Sequence, residues 1–192
     1  GDTACHTFTA TVDLSTPGTY TLDGYVSLAG DALAINDSIS TVVNSIPILS
    51  TFPYNEGFET GNGGWTASGS NSSWALGTPA GSVINSAATG TQSWVTNLTG
   101  NYSANEESYV QGPCFDFTNI AAPQFKMNVW WNSEFSWDGA VLQSSTDGGS
   151  TWQNVGAVGD PNNWYTDATI NGLANLASPQ DGWTGRNSST NG

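Results

Sequence analysis

The chain has 192 residues, 16 Asp plus Glu against 2 Lys plus Arg, and a formal charge of −14. With Lys126 and Arg186 as its two fixed cations, it has no basic stripe for nucleic acid, and an anionic membrane surface would repel it. No apolar run approaches the roughly 18 residues of a membrane helix, so neither nucleic acid nor membrane insertion is expected.

Charged residues make up 9% of the chain, against about 25% in ordinary soluble domains. Solubility therefore falls to Ser, Thr, Asn, Gln and Gly. Such polarity can mean disorder, but 11% aromatic residues and nine Trp supply enough apolar surface for a core. Gly, Thr, Ser, Asn, Val and Trp together predict β-strands joined by tight turns.

In chain order, the first predicted strand places Phe8, Ala10, Val12 and Leu14 on one face, with Thr9, Thr11 and Asp13 on the other. Pro17-Gly18 turns the chain. Tyr20, Leu22, Gly24, Val26 and Leu28 line a second face, and residues 39–43 make a third strand. Three strands are few for an independent domain. Pro47 and Pro53 bracket a linker, after which Gly, Asn, Ser and Trp dominate. Strands are expected around Trp65, Trp74, Trp94, Tyr109 and Val110, at 125–131, at 140–144 and at 152–155. Turns about every 8–12 residues favour an antiparallel sandwich or jelly roll. If 125–131 is a strand, Trp130 and Trp131 point to opposite faces. One of them is then either covered by loops or free to stack on sugars or a partner.

The run Phe52-Pro53-Tyr54-Asn55-Glu56-Gly57-Phe58-Glu59 followed by Trp65 resembles the opening of a jelly-roll module of large secreted Bacteroidetes surface proteins, similar to the animal MAM domain. Gly112-Pro113-Cys114-Phe115-Asp116-Phe117, the stretch 137–152, and Trp164-Tyr165 with Gly182-Trp183-Thr184-Gly185 extend the resemblance over residues 52–192. Residues 17–20, with Gly30-Asp31 and Asn36-Asp37, resemble the last strands of an immunoglobulin-like module of the same proteins. The resemblance implies an all-β chain. Residues 1–48 would be a small, incomplete immunoglobulin-like module, and 49–192 an antiparallel jelly-roll β-sandwich lacking its closing strands. It implies either a piece of a longer polypeptide or strands supplied by another chain, since unpaired edges invite strand addition.

Ser145-x-Asp147-x-Gly149-x-x-Trp152 fits the Asp-box pattern, a hairpin turn in which the carboxylate binds backbone N–H groups and glycines supply φ > 0. Its single copy reads as structural. By resemblance to calcium-holding jelly rolls, Glu59 and Asp138 are the candidate Ca²⁺ ligands, a cation that needs only oxygen donors. Cys5 and Cys114 have no zinc spacing; they form either a disulfide or two free buried thiols. The lone His6 cannot complete a triad of the usual kind. Glu134 and Asp138 do not match the alternating carboxylates of similar glycosidases, so no catalytic role is expected. Lys126 on an inner strand would suit an isopeptide crosslink. Thr3 and Ser38 lie in Asp-Ser/Thr-apolar runs that resemble O-glycosylation acceptors of exported Bacteroidetes proteins.

The expected function is a non-catalytic, adhesive segment of a secreted cell-surface adhesin or extracellular filament protein. Its partners would be neighbouring modules, copies of itself by strand complementation, or glycans. The alternative is a carbohydrate-binding accessory module of a secreted hydrolase, with Trp65, Trp131, Trp137 and Trp164 as stacking residues.

Overall fold

In the computed structural model the described residues are 5–27, 29–30, 32–33, 35, 37–161, 164–174 and 180–185. They are all-β apart from 3-10 conformation at Ile35 and a 3-10 turn at Asn171–Leu173. No helix among them is long and apolar enough to cross a membrane. The chain divides into two compact units, Gly1–Pro53 with Gly112–Asn119, and Tyr54–Gln111 with Ile120–Gly192.

The first unit is built on β1 (Gly18–Tyr25) and β2 (Ser38–Ser45), an antiparallel ribbon. The register places Tyr20 opposite Val43, Leu22 opposite Thr41 and Gly24 opposite Ile39. Tyr20, Leu22 and Gly24 thus share one side of the ribbon with Ile39, Thr41 and Val43, although Leu22 and Ile39 remain exposed. β3 (Ile48–Leu49) pairs in parallel with β8 (Cys114–Phe115), and backbone bonds from Cys114 to Pro47 and from Asp116 to Leu49 extend the pair. Phe52, Phe115 and Phe117 gather beside it, with ring centroids 5.3 and 5.9 Å apart.

The strand expected at 8–14 is absent. Phe8 and Val12 are exposed, and residues 5–17 are outside any strand. Alternation specifies which side chains share a face. A strand also needs a ladder partner for its N–H and C=O groups, and among the described residues this stretch has none.

The second unit contains three antiparallel pairs. β4 (Thr66–Ser70) pairs with β7 (Glu107–Gln111), β5 (Trp74–Gly77) with β6 (Ser93–Thr96), and β9 (Gln143–Ser144) with β10 (Gln153–Asn154). The strands expected near Trp74, Trp94, Tyr109 and Val110 are thus present, and those at 140–144 and 152–155 shrink to two residues each. Residues 125–131 form no strand, again without a partner among the described residues. Lys126 is exposed there, which removes the buried setting that a crosslink would need.

The most deeply buried residues of this unit come from irregular chain. Ile170 is fully buried against Leu173, with Val141 packed on the pair. Trp183 and Tyr165 are buried beside them, their rings edge to face at 4.8 Å. Isolated bridges, Ala140 to Trp183 and Asp167 to Gly182, bring 138–141, 165–170 and 180–185 together. Gly139 and Gly182 permit that approach: a Cβ on either would lie 2.9 Å from the Ile170 Cδ1.

Candidate functional site

One turn of the second unit combines an immobilised backbone with exposed aromatic side chains. In 134–138, the amides of Trp137 and Asp138 both donate to the Glu134 carbonyl, at 3.2 and 3.0 Å. Ser136 has φ 60°, a left-handed conformation that non-glycine residues adopt at a cost of about 1 kcal/mol. Its surroundings impose that conformation. The Ser136 amide donates to the Thr184 Oγ1 at 3.0 Å, and its hydroxyl donates to the Asp167 Oδ2 at 2.7 Å. Its carbonyl accepts from Asn171, and the Trp137 carbonyl accepts from Gly172.

The same turn is fixed at its far end. The Asp138 carbonyl accepts from the Thr184 hydroxyl at 2.6 Å and from the Ser133 hydroxyl at 2.9 Å. Its carboxylate accepts from the Tyr102 hydroxyl at 2.6 Å. Burial first, and then this bond, push the Tyr102 hydroxyl up to about 12. Asp167, which receives Ser136, is held below the usual carboxylate range chiefly by that bond and the Thr169 amide. Against this fixed backbone Phe135 is 64% and Trp137 59% exposed, with the exposed Glu134 beside them. A rigid element that projects two aromatic rings into solvent loses little conformational entropy when something docks on it.

The other tryptophans proposed for stacking have structural duties. Trp65 donates to the Tyr54 hydroxyl at 3.2 Å and meets Phe58 edge to face. Trp131 donates to the Thr184 carbonyl at 3.1 Å and packs on Trp183. Trp164 donates to the Val155 carbonyl at 2.7 Å and also packs on Trp183. All three are partly buried; Trp137 is the exposed member of the set.

Glu59 and Asp138 are engaged by different partners. Glu59 accepts from the Thr91 amide, the Gln92 amide and the Thr91 hydroxyl at 2.8–2.9 Å, which hold its carboxyl below the usual range, the Thr91 amide most of all. Glu106 is a third carboxylate used in this way. Burial acts to raise its pKa, but bonds from Ser108, Ser73 and Ser103 outweigh burial and lower it. Among the described residues no group of three or more His, Cys, Asp or Glu side chains is placed to hold a metal ion. The several carboxylates that calcium usually draws on are therefore not gathered around Glu59 or Asp138.

The comparisons with known proteins place this chain beside part of a much longer one. A stretch of 120 residues, 62% of the chain, is 31% identical to Bacillopeptidase F of Bacillus subtilis (strain 168). It spans 8% of that protein's length. No family model matches, and no solved structure matches.

The Asp-box run forms the turn between β9 and β10. The Asp147 carboxylate accepts from the Thr151 hydroxyl at 2.6 Å, the Thr151 amide at 2.9 Å and the Ser145 hydroxyl at 2.7 Å. These bonds hold its pKa at about 2. Gly148 and Gly149 have φ 71° and 89°, and Trp152 donates to the Gly149 carbonyl. The Ser145, Asp147, Thr151 and Trp152 side chains thus all bond within the turn itself.

Cys5 and Cys114 are free and exposed, neither joined to each other nor buried. Ser38 is the exposed first residue of β2; Thr3 lies outside the described residues. His6 is exposed, with its ring against Phe8. The sequence does not single out Tyr102, Phe135, Ser136 or Asp167, and Thr184 stands only within the run Gly182-Trp183-Thr184-Gly185, with no site role. The available signal was Phe135-Ser136-Trp137 between Glu134 and Asp138, two aromatics bracketed by carboxylates.

Proposed function

We propose that the chain is a non-catalytic, adhesive β-segment of a larger secreted cell-surface protein, of the immunoglobulin-like and MAM-like jelly-roll kind. The observation that carries this reading is the turn at 134–138, whose backbone is tied on both sides while Phe135 and Trp137 face solvent. Single exposed hydrophobic side chains are ordinary, whereas exposed apolar residues that cluster mark interaction sites; Phe135 and Trp137 are two exposed rings on one short turn. The likeness to part of a much longer peptidase supports an accessory segment working outside the cell.

The test is binding of the whole chain to an array of immobilised extracellular proteins and glycans. The parent and the Phe135→Ala/Trp137→Ala double variant are compared after equal melting temperatures are established. Retention by the parent and loss in the double variant is expected. Equal retention of both would remove the turn from the function. A second reading, a carbohydrate-binding accessory module of a secreted hydrolase, is favoured by the Bacillopeptidase F likeness. It requires the retained spots to be glycans.

A further inference from the structure

We infer that the Phe135/Trp137 turn docks a cationic partner, a lysine- or arginine-bearing segment of another protein. The inference rests on the adhesive reading above and names the chemistry of its partner.

Three observations converge. First, Trp137 and Phe135 are exposed, and aromatic rings attract cations through the ring quadrupole, Trp most strongly. Second, the turn is bounded in sequence by two acidic residues, Glu134 and Asp138. Glu134 starts it with an exposed side chain, whose charge also bears on the Tyr102 hydroxyl. Asp138 ends the turn, and Asp167 receives the Ser136 hydroxyl. Third, the whole chain carries −14 with two fixed cations, so its field gathers cations and repels anions at long range. A neutral sugar would use the rings alone, whereas an ammonium or guanidinium uses rings, local carboxylate and field together. The pinned backbone adds pre-organisation, because the docking side chain need not order the loop. Arg186 lies outside the described residues, and the test includes it.

The experiment measures binding of the full chain to biotinylated deca-lysine and deca-arginine peptides by biolayer interferometry, with cellohexaose as the neutral probe. Trp137→Ala leaves the net charge untouched. It is expected to weaken binding about three-fold, and the double variant with Phe135→Ala about ten-fold, as removal of cation–π contacts at an exposed site does. Glu134→Gln is expected to weaken binding by a similar factor. Asp23→Asn, the same charge change in the first unit, is expected to leave it within about 1.5-fold. Arg186→Gln is expected to strengthen binding or leave it alone.

Equal binding by the parent and Trp137→Ala, with Asp23→Asn as costly as Glu134→Gln, would mean diffuse charge attraction and overturn the inference. Binding of cellohexaose in preference to the peptides, with loss in Trp137→Ala, overturns it too but keeps the adhesive reading. Binding of no probe by the parent overturns it; retention on the array above then decides separately whether the adhesive reading stands.

Discussion

Thr184→Val tests the attachment of the aromatic turn with the least disturbance of shape. Thr184 is 1% exposed, and valine matches its volume, so no cavity forms. Its hydroxyl accepts from the Ser136 amide at 3.0 Å. The single hydroxyl proton serves one carbonyl at a time, and the Asp138 carbonyl at 2.6 Å is better placed than Glu134 at 3.2 Å. The substitution removes both bonds. The Asp138 carbonyl keeps the Ser133 hydroxyl at 2.9 Å, so it is weakened rather than orphaned. The Ser136 amide is left without a partner in a left-handed residue. One lost bond of about 1 kcal/mol and one unsatisfied donor of about 1–2 kcal/mol give an expected loss of about 2–3 kcal/mol. Thr184→Ser keeps the hydroxyl and removes one buried methyl, for about 1 kcal/mol. Urea unfolding of the parent and both variants reads the difference, and a valine variant as stable as the serine variant would refute the reasoning.

The β9–β10 turn should respond to acid. Asp147 is held at about 2 from an ordinary 3.8, so its ionised form binds the turn more tightly than the unfolded chain. That support is present above about pH 4 and disappears as pH falls toward about 2; amide exchange at Thr151 should accelerate over that window and be fast throughout in Asp147→Asn. Tyr102 titrates with the opposite sign. Its folded value of about 12 exceeds the ordinary 10, so stability falls as pH rises from about 10 to 12, and the ultraviolet titration of Tyr102→Phe should lack the latest-ionising phenol. Gly182→Ala places a Cβ 2.6 Å from the Ala140 carbonyl and 2.9 Å from the Ile170 Cδ1. A loss of about 2–3 kcal/mol is expected from this overpacking, and a melting temperature within 2 °C of the parent would contradict the close approach, given the roughly 2–4 °C per kcal/mol of a chain this size.

The parts of the fold that were legible are those whose signals are local. Alternation from Tyr20 to Gly24 marks one strand of the ribbon, the apolar run 39–43 marks the other, and Pro17-Gly18 marks its entry. The Asp-box run encodes its own turn, since Ser145, Asp147, Gly149, Thr151 and Trp152 contact one another. Alternation misled at 8–14 and apolar content at 125–131, where the pattern exists but no partner strand is found among the described residues. The candidate site was half legible. Trp137 was named from its type, but Trp131 and Trp164 look identical to it in sequence and differ only in having found carbonyls and Trp183. What fixes the turn is a set of hydroxyl contacts across long separations, 48 residues from Ser136 to Thr184 and 36 from Tyr102 to Asp138. Hydroxyls are common in this chain, and no periodicity pairs them.

The claim that matters most is that Phe135 and Trp137 stand on a backbone that does not move. Native-state hydrogen exchange at the Ser136 amide tests it most directly. That amide lies between two exposed aromatic residues, yet it is bonded to a buried hydroxyl. Strong protection, matching the Asn171 and Gly172 amides that bond the same turn, is the predicted result. Exchange at the rate of an unstructured chain would contradict it and leave the two rings on a loose loop.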